Sequence, residues 1–273
     1  MKKNKYKTFL TIAGSDSGGG AGIQADIKTA AANGVFGMSV ITSVTAQNTQ
    51  GVSGVHIIPA EFVRAQIEMV LSDIGADAIK LGMLPTPEIV EVVAEMIRKY
   101  EIENVVLDPV MIATSGDRLI SEEAVGKIIT TLLPLVRVTT PNIPEVEFIT
   151  GLKIGDALAS DYERLAQIFF DKNAKAVLIK SGHLEAENVE DWLFDGSVRA
   201  TYKYPYQKVR TPNTHGTGCT LSSAIASFLA LGLDLPDAVG KAEDYIHQAV
   251  AAGAEYRLGK GHGPVHHFFK FWE

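Results

Sequence analysis

A chain of 273 residues with 46% hydrophobic side chains has ample apolar material for one large α/β core. Its formal charge of −7 and pI near 5.5 exclude the basic surface by which nucleic-acid binders are known, so any phosphate it handles must be held locally, by amides, a lysine and a metal. The one cysteine, Cys219, excludes an internal disulfide and suits a reducing cytoplasm, and the lack of any apolar run near twenty residues argues against a membrane span.

The basic start of the chain mimics the head of a signal peptide, but the apolar run behind it, residues 9–13, is too short for one and predicts a strand. A glycine loop over 14–22 follows, and then a helix over 23–33 stopped by Gly34: the opening of a doubly wound sheet. Gly20-Ala21-Gly22-Ile23-Gln24-Ala25 formally fits a dinucleotide fingerprint. The next strand, 39–46, ends in Gln47-Asn48 instead of an acid for the ribose, and no Gly-Lys-Ser/Thr follows the glycines. A nucleotide site here must therefore be of another kind.

Phe62, Ala65, Met69 and Val70 repeat at helical spacing, as do Ile89, Val93, Met96 and Ile97. Each helix leads into a strand buried on both faces, 78–81 and 105–107. Then come a helix over 121–133, a strand over 136–139, a helix from Pro144, a helix over 158–172 and a strand over 176–179. From 191 to 204 the rhythm changes to an antiparallel hairpin about Asp195-Gly196, and two helices close the chain, one over 221–231 and one carrying Ala238, Ala242, Tyr245, Ile246 and Ala249 on one face. The expectation is one α/β domain over 1–273, with a mostly parallel central sheet and an antiparallel hairpin toward its C-terminal part, because no linker or repeat divides the chain.

Ligands of such sheets collect beyond the carboxyl ends of the strands. The polar residues there are Asp16, Gln47, Asn48, Lys80, Asp108, Asn142, Glu145 and Lys180. Asp108, Asn142 and Glu145 carry oxygens suited to Mg²⁺, although Asn142 with Glu145 three residues on also reads as a helix capping box. Lys180 can reach a phosphate or stand as a solvated strand end. The stretch Asn213-Thr214-His215-Gly216-Thr217-Gly218-Cys219-Thr220 runs into the helix near Leu221, and its exposed amides plus the helix dipole suit an anion; Thr217 or Thr220 as a simple helix cap is the alternative. A thiol at a helix N-terminus should have a lowered pKa, so Cys219 is expected either to take up a proton as thiolate or to pack on substrate. His183 and His215 are expected to orient loops. His262, His266 and His267 lack metal-site spacing, since Gly263-Pro264 intervenes.

Taken together, the chain resembles the hydroxymethylpyrimidine/phosphomethylpyrimidine kinases of thiamine biosynthesis, within the ribokinase-like superfamily of three-layer α/β/α folds. The likeness rests on the segments 10–16, 19–26, 46–49, 80–84, 107–111, 140–145, 180–183, 213–220 and 263–267, spread over nearly the whole length. It implies Mg-ATP-dependent phosphorylation of 4-amino-5-hydroxymethyl-2-methylpyrimidine and then of its monophosphate. By the same likeness Gly216, Thr217 and Gly218 form an anion hole, and Cys219 stands where the wider superfamily carries an aspartate base. Gln47 matches the residue that pairs with the pyrimidine edge, with Gly14, Asp26, Met83 and Val110 around the ring. Asp108 and Glu145 match metal positions, and Asp108, Asn142 and Lys180 match nucleotide contacts. A base at Cys219 would make Cys219→Ala slow the first transfer far more than the second. The resemblance further implies a homodimer and leaves room for a monovalent cation, while the lone cysteine, the acidic charge and the lack of a long apolar run predict a cytoplasmic protein with no nucleic-acid or membrane partner. Pyridoxal kinase on the same scaffold is the nearest rival, and a non-catalytic pyrimidine-binding protein a more distant one.

Overall fold

Strands whose residues are apolar on both faces must be covered on both faces, and the arrangement follows from that. In the computed structural model, which describes residues 5–111, 120–154, 159–182 and 187–272, nine strands form one sheet. They are β1 (Thr8–Asp16), β2 (Phe36–Asn48), β3 (Gly51–Ile57), β4 (Ala78–Leu81), β5 (Val105–Leu107), β6 (Val138–Thr139), β7 (Ala176–Ile179), β8 (Asn188–Asp195) and β9 (Ala200–Gln207), in spatial order β3-β2-β1-β4-β5-β6-β7-β8-β9. From β2 through β7 neighbouring strands are parallel; β3, β8 and β9 are antiparallel to their neighbours.

One face of the sheet packs on α2 (Ala60–Asp73), α3 (Pro87–Lys99), α4 (Glu122–Lys127), α5 (Ile143–Thr150) and α6 (Ala159–Asp171). The other packs on α1 (Gly22–Ala32), α7 (Thr217–Ala230) and α8 (Leu235–Gly253). The three-layer α/β/α expectation holds, including the C-terminal hairpin, where Trp192 and Phe194 enter one core and Leu193 the other. Among the described residues no helix is long and apolar enough to cross a membrane.

Two local features differ from expectation. β3 was not expected from the sequence: it is short, holds two glycines and lies largely in solvent, so it lacks the apolar alternation that marks a half-buried strand. It pairs with the upper part of β2, which begins three residues before and ends two residues after the expected 39–46 and leaves Val44 exposed. The last helix pair also begins earlier, α7 starting at Thr217 and not near Leu221, because Gly216 caps it in the left-handed conformation. The register of β1 against β2 slips between Ala13 and Gly14, at the end of the strand where the site lies. His183 and the first residue expected for α6, Leu158, fall outside the described residues.

Candidate active site

The carboxyl ends of β1, β2, β4, β5 and β7 and the N-terminus of α7 meet on one edge of the sheet. Gly216 stands at φ +79°, and a Cβ there would lie 1.9 Å from the Gly20 carbonyl oxygen, so the glycine turn is pressed onto the 17–22 loop. The next residues form the first turn of α7. The Thr217 amide is already committed to the Thr214 carbonyl at 3.2 Å, and its hydroxyl donates to the same oxygen at 2.7 Å. Thr217 therefore shapes the turn, and the amides of Gly218 and Cys219 are the first-turn donors left to face a ligand. A Cβ on Gly218 would stand 3.4 Å from Lys180 Nζ and 3.5 Å from Asp108 Oδ2. Amide, ammonium and carboxylate thus converge on the space beside that one α-carbon.

Lys180 donates to Asp108 Oδ1 at 3.0 Å, Thr140 to the same oxygen at 3.3 Å, and Ser222 to Oδ2 at 3.3 Å. Burial works against the Lys180 charge, but Asp108 and Glu145 outweigh it and raise its pKa. Asn142 and Glu145 form a true capping box: the Asn142 amide donates to Glu145 Oε2 at 2.8 Å and the Glu145 amide to Asn142 Oδ1 at 3.0 Å. The Glu145 carboxyl is pushed up to about 7 by burial and by the Asp108 charge, against Lys180. Asp108 and Glu145 face one ammonium, and a hard cation binding beside them would displace the Glu145 proton and be balanced by both carboxylates. Among the described residues no three metal-ligating side chains cluster, so the pair fits a cation whose remaining ligands are phosphate oxygens and water.

Gln47 is half-buried, its Oε1 3.0 Å from the Thr45 hydroxyl and its Nε2 3.3 Å from His215 Nε2. Gly14 and Met83 adjoin, a Cβ on Gly14 standing 3.6 Å from Met83 Sδ, and the half-buried Val110 follows Asp108 by two residues, its amide on the Asp108 carbonyl at 2.8 Å. Asn48 does not join them: it is exposed, and its side chain accepts the Gln50 amide in a turn. Asp26 lies behind this group with no exposed surface, its oxygens taken by Lys80 at 2.9 and 3.0 Å, Thr11 at 2.6 Å and Ser223 at 2.7 Å. Where the resemblance set it beside the ring, the structure makes it the counter-charge of a fully buried lysine.

Cys219 corrects another expectation. Its thiol pKa is not lowered: burial pushes it up to about 11, with the Asp26 and Asp108 charges in the same sense, and Lys80 and the Gly22 amide oppose without prevailing. At neutral pH the group is a thiol. Of the histidines, His215 orients the loop as expected, and the buried His267 faces the Thr220 hydroxyl at 3.1 Å, its pKa pushed down to about 3 by burial.

Several contributing residues escaped sequence reasoning. Ser222 lies one helical turn beyond Gly218, a spacing that could have revealed it; Thr140 and Ser223 give no local signal. Asp191 accepts the Ser181 amide at 2.7 Å and so fixes the strand end that carries Lys180. Behind it, Glu243 is buried 3.1 Å from His247 Nε2, and burial, against Asp191 and Lys180, pushes its carboxyl up to about 8. Because the folded chain holds this proton more tightly than the unfolded one, stability from Glu243 is fully present at low pH and is lost as pH rises toward 8. The melting temperature should fall by about 5 °C or more between pH 5 and pH 8.5, and Glu243→Gln should flatten that slope in a calorimetric pH series.

Comparison with known proteins shows the family. A family model described as phosphomethylpyrimidine kinase matches residues 16–266. A hydroxymethylpyrimidine/phosphomethylpyrimidine kinase of Rhizobium meliloti is 47% identical over 265 residues, 97% of this chain and 98% of the relative. The crystal structure of a phosphomethylpyrimidine kinase from Clostridium difficile superposes with a TM-score of 0.78 at 44% identity, covering 89% of this chain and 99% of that one. A pyridoxal kinase from Staphylococcus aureus, solved with AMP-PCP and pyridoxal, gives a TM-score of 0.88 at 33% identity over 98% and 96% of the two chains.

Proposed function

The chain belongs to the phosphomethylpyrimidine kinase family, and we propose how its residues divide the work of that reaction. It is an ATP-dependent phosphotransferase of thiamine biosynthesis that phosphorylates 4-amino-5-hydroxymethyl-2-methylpyrimidine and then its monophosphate. The observation that carries the site assignment is the approach of the Gly218 α-carbon to both Lys180 and Asp108. Phosphoryl transfer passes through a loose transition state, so catalysis consists of aligning the groups and neutralising developing charge. The Gly218 and Cys219 amides, held by the Gly216 cap and the Thr217 turn, receive the transferring phosphoryl group, and Lys180 and Asn142 the nucleotide phosphates. Asp108 and Glu145 would hold Mg²⁺, which when bound neutralises the oxygens of the ATP phosphates. Gln47 pairs with the aminopyrimidine edge, and Gly14, Met83 and Val110 border the ring; Asp26 acts from behind, through Lys80.

As a thiol, Cys219 packs against the hydroxymethyl group and takes no proton. Cys219→Ala should then slow the two transfers alike, within about threefold of each other, when each is followed by ADP release. A loss confined to the first transfer would restore the base.

Fold similarity alone does not separate pyrimidine from pyridoxal kinases, since the pyridoxal kinase superposes well. Gln47 supports the pyrimidine reading: its amide offers donor and acceptor to an aminopyrimidine edge. Pyridoxal and pyridoxine are proposed as side substrates. An ADP-release assay with hydroxymethylpyrimidine, its monophosphate and pyridoxal, run in parallel, tests the reading; a higher kcat/KM on pyridoxal would overturn it. The single sheet and lone thiol support one kinase domain in the cytoplasm, without nucleic-acid or membrane partners. Val44, Val55, Ile57 and Phe62, exposed about the β2–β3 edge, support self-association as a homodimer, which sedimentation should read as twice the chain mass.

A further inference from the structure

Asp16 ends β1 and is surrounded by donors. Its Oδ1 accepts the Gly18 amide at 2.8 Å; its Oδ2 accepts the Gly20 amide at 3.0 Å, the Ala21 amide at 2.9 Å and His215 Nε2 at 2.9 Å. These contacts outweigh burial and keep the group a carboxylate, which can only accept. The hydrogen on His215 therefore sits on Nε2. That same nitrogen is 3.3 Å from the Gln47 side-chain amide. On the far side of the amide, the Thr45 hydroxyl has one hydrogen and two oxygens at 3.0 Å, the Ser15 carbonyl and Gln47.

Counting donors selects one orientation. With its NH₂ toward Nε2–H, the Gln47 amide sets donor against donor and leaves Thr45 one hydrogen for two acceptors. With its oxygen toward Nε2–H, the donor–donor clash is gone: the one Nε2–H of His215 is shared between Asp16 at 2.9 Å and Gln47 at 3.3 Å, Gln47 donates to Thr45, and Thr45 keeps its hydrogen for Ser15. One N–H and one lone pair of Gln47 then remain, the complement of an amino group beside a ring nitrogen.

We infer that Asp16 and His215 are positioning residues that set the orientation of the Gln47 amide and so the substrate edge it recognises. This rests on the reading of Gln47 as the pyrimidine contact. The pair also ties recognition to the phosphoryl site, because His215 directly precedes Gly216, its amide donates to the Gly263 carbonyl at 3.0 Å, and its ring fills the space a Cβ on Gly20 would need.

A double-mutant cycle tests it. Asp16→Asn removes the obligate acceptor, and His215→Phe keeps the ring against Gly20 while removing the nitrogen. Each should raise KM for hydroxymethylpyrimidine about tenfold and leave KM for Mg-ATP unchanged, the loss of one oriented hydrogen bond. In a Gln47→Ala background neither should add a further loss. Losses that multiply in the double mutants, or a parallel rise in KM for Mg-ATP, would overturn the inference while leaving the site intact. If Gln47→Ala alone left pyrimidine KM unchanged, the site reading would fall and this inference with it. Should Asp16→Asn unfold, as a melting curve would report, the His215→Phe cycle decides alone.

Discussion

Gly216→Ala should lower kcat/KM for both phosphorylations by about 10²–10³-fold, the loss typical when an anion-hole donor is displaced. The cause is backbone against backbone. At φ +79° a methyl group is strained wherever it stands, and here it would lie 1.9 Å from the Gly20 carbonyl, which cannot swing away as a side chain would. Relief requires moving the start of α7, and with it the Gly218 and Cys219 amides. Gly232→Ala is the control: φ is +93° there, but nothing lies within 4 Å of the added carbon. It should cost about 1 kcal/mol of stability and leave turnover unchanged. Steady-state kinetics and thermal melts on the two variants separate strain from displacement.

Asp26→Ala should destabilise the fold by about 3–5 kcal/mol in urea denaturation, a large part of the roughly 5–15 kcal/mol a domain possesses. Lys80 and Asp26 both have no exposed surface, and Asp26 holds the ammonium charged although burial opposes it. Removing the carboxylate strands that charge and leaves the Thr11 and Ser223 hydroxyls without their acceptor. Replacing both partners, Asp26→Leu with Lys80→Met, should recover most of the stability, because no buried charge is left. Activity should not return. Lys80 also acts electrostatically on Cys219, so the pair sets the field behind the anion turn as well as filling the core.

The backbone of the fold was legible because buried parallel strands announce themselves. Val105–Leu107 and Ala176–Ile179 are continuous apolar runs between helical repeats, and they lie where expected. β3 was not legible, since a solvated edge strand with glycines owes its conformation to its partner β2 more than to its own pattern. α7 starts earlier than its sequence predicts for a related reason. Gly218 and Thr217 are poor helix formers taken alone, and the left-handed cap at Gly216 together with the contact on Gly20 draws them into the helix.

At the site, the sequence by itself determined which chemical groups stand at the strand ends: Asp108, Glu145, Lys180, Gln47 and the glycines before Cys219. It also determined the Asn142–Glu145 capping box, a contact three residues long. Only the tertiary structure decided how those groups are paired. Asp26 meets Lys80 across 54 residues and His215 meets Asp16 across 199, so charges that looked available to substrate are spent within the protein or aimed by it. It likewise decided the state of Cys219, because desolvation and the surrounding carboxylates outweigh the helix terminus that sequence alone could see. Periodicity and capping are short-range and can be read along the chain. Burial and the fields of distant charges exist only once the chain has closed around them.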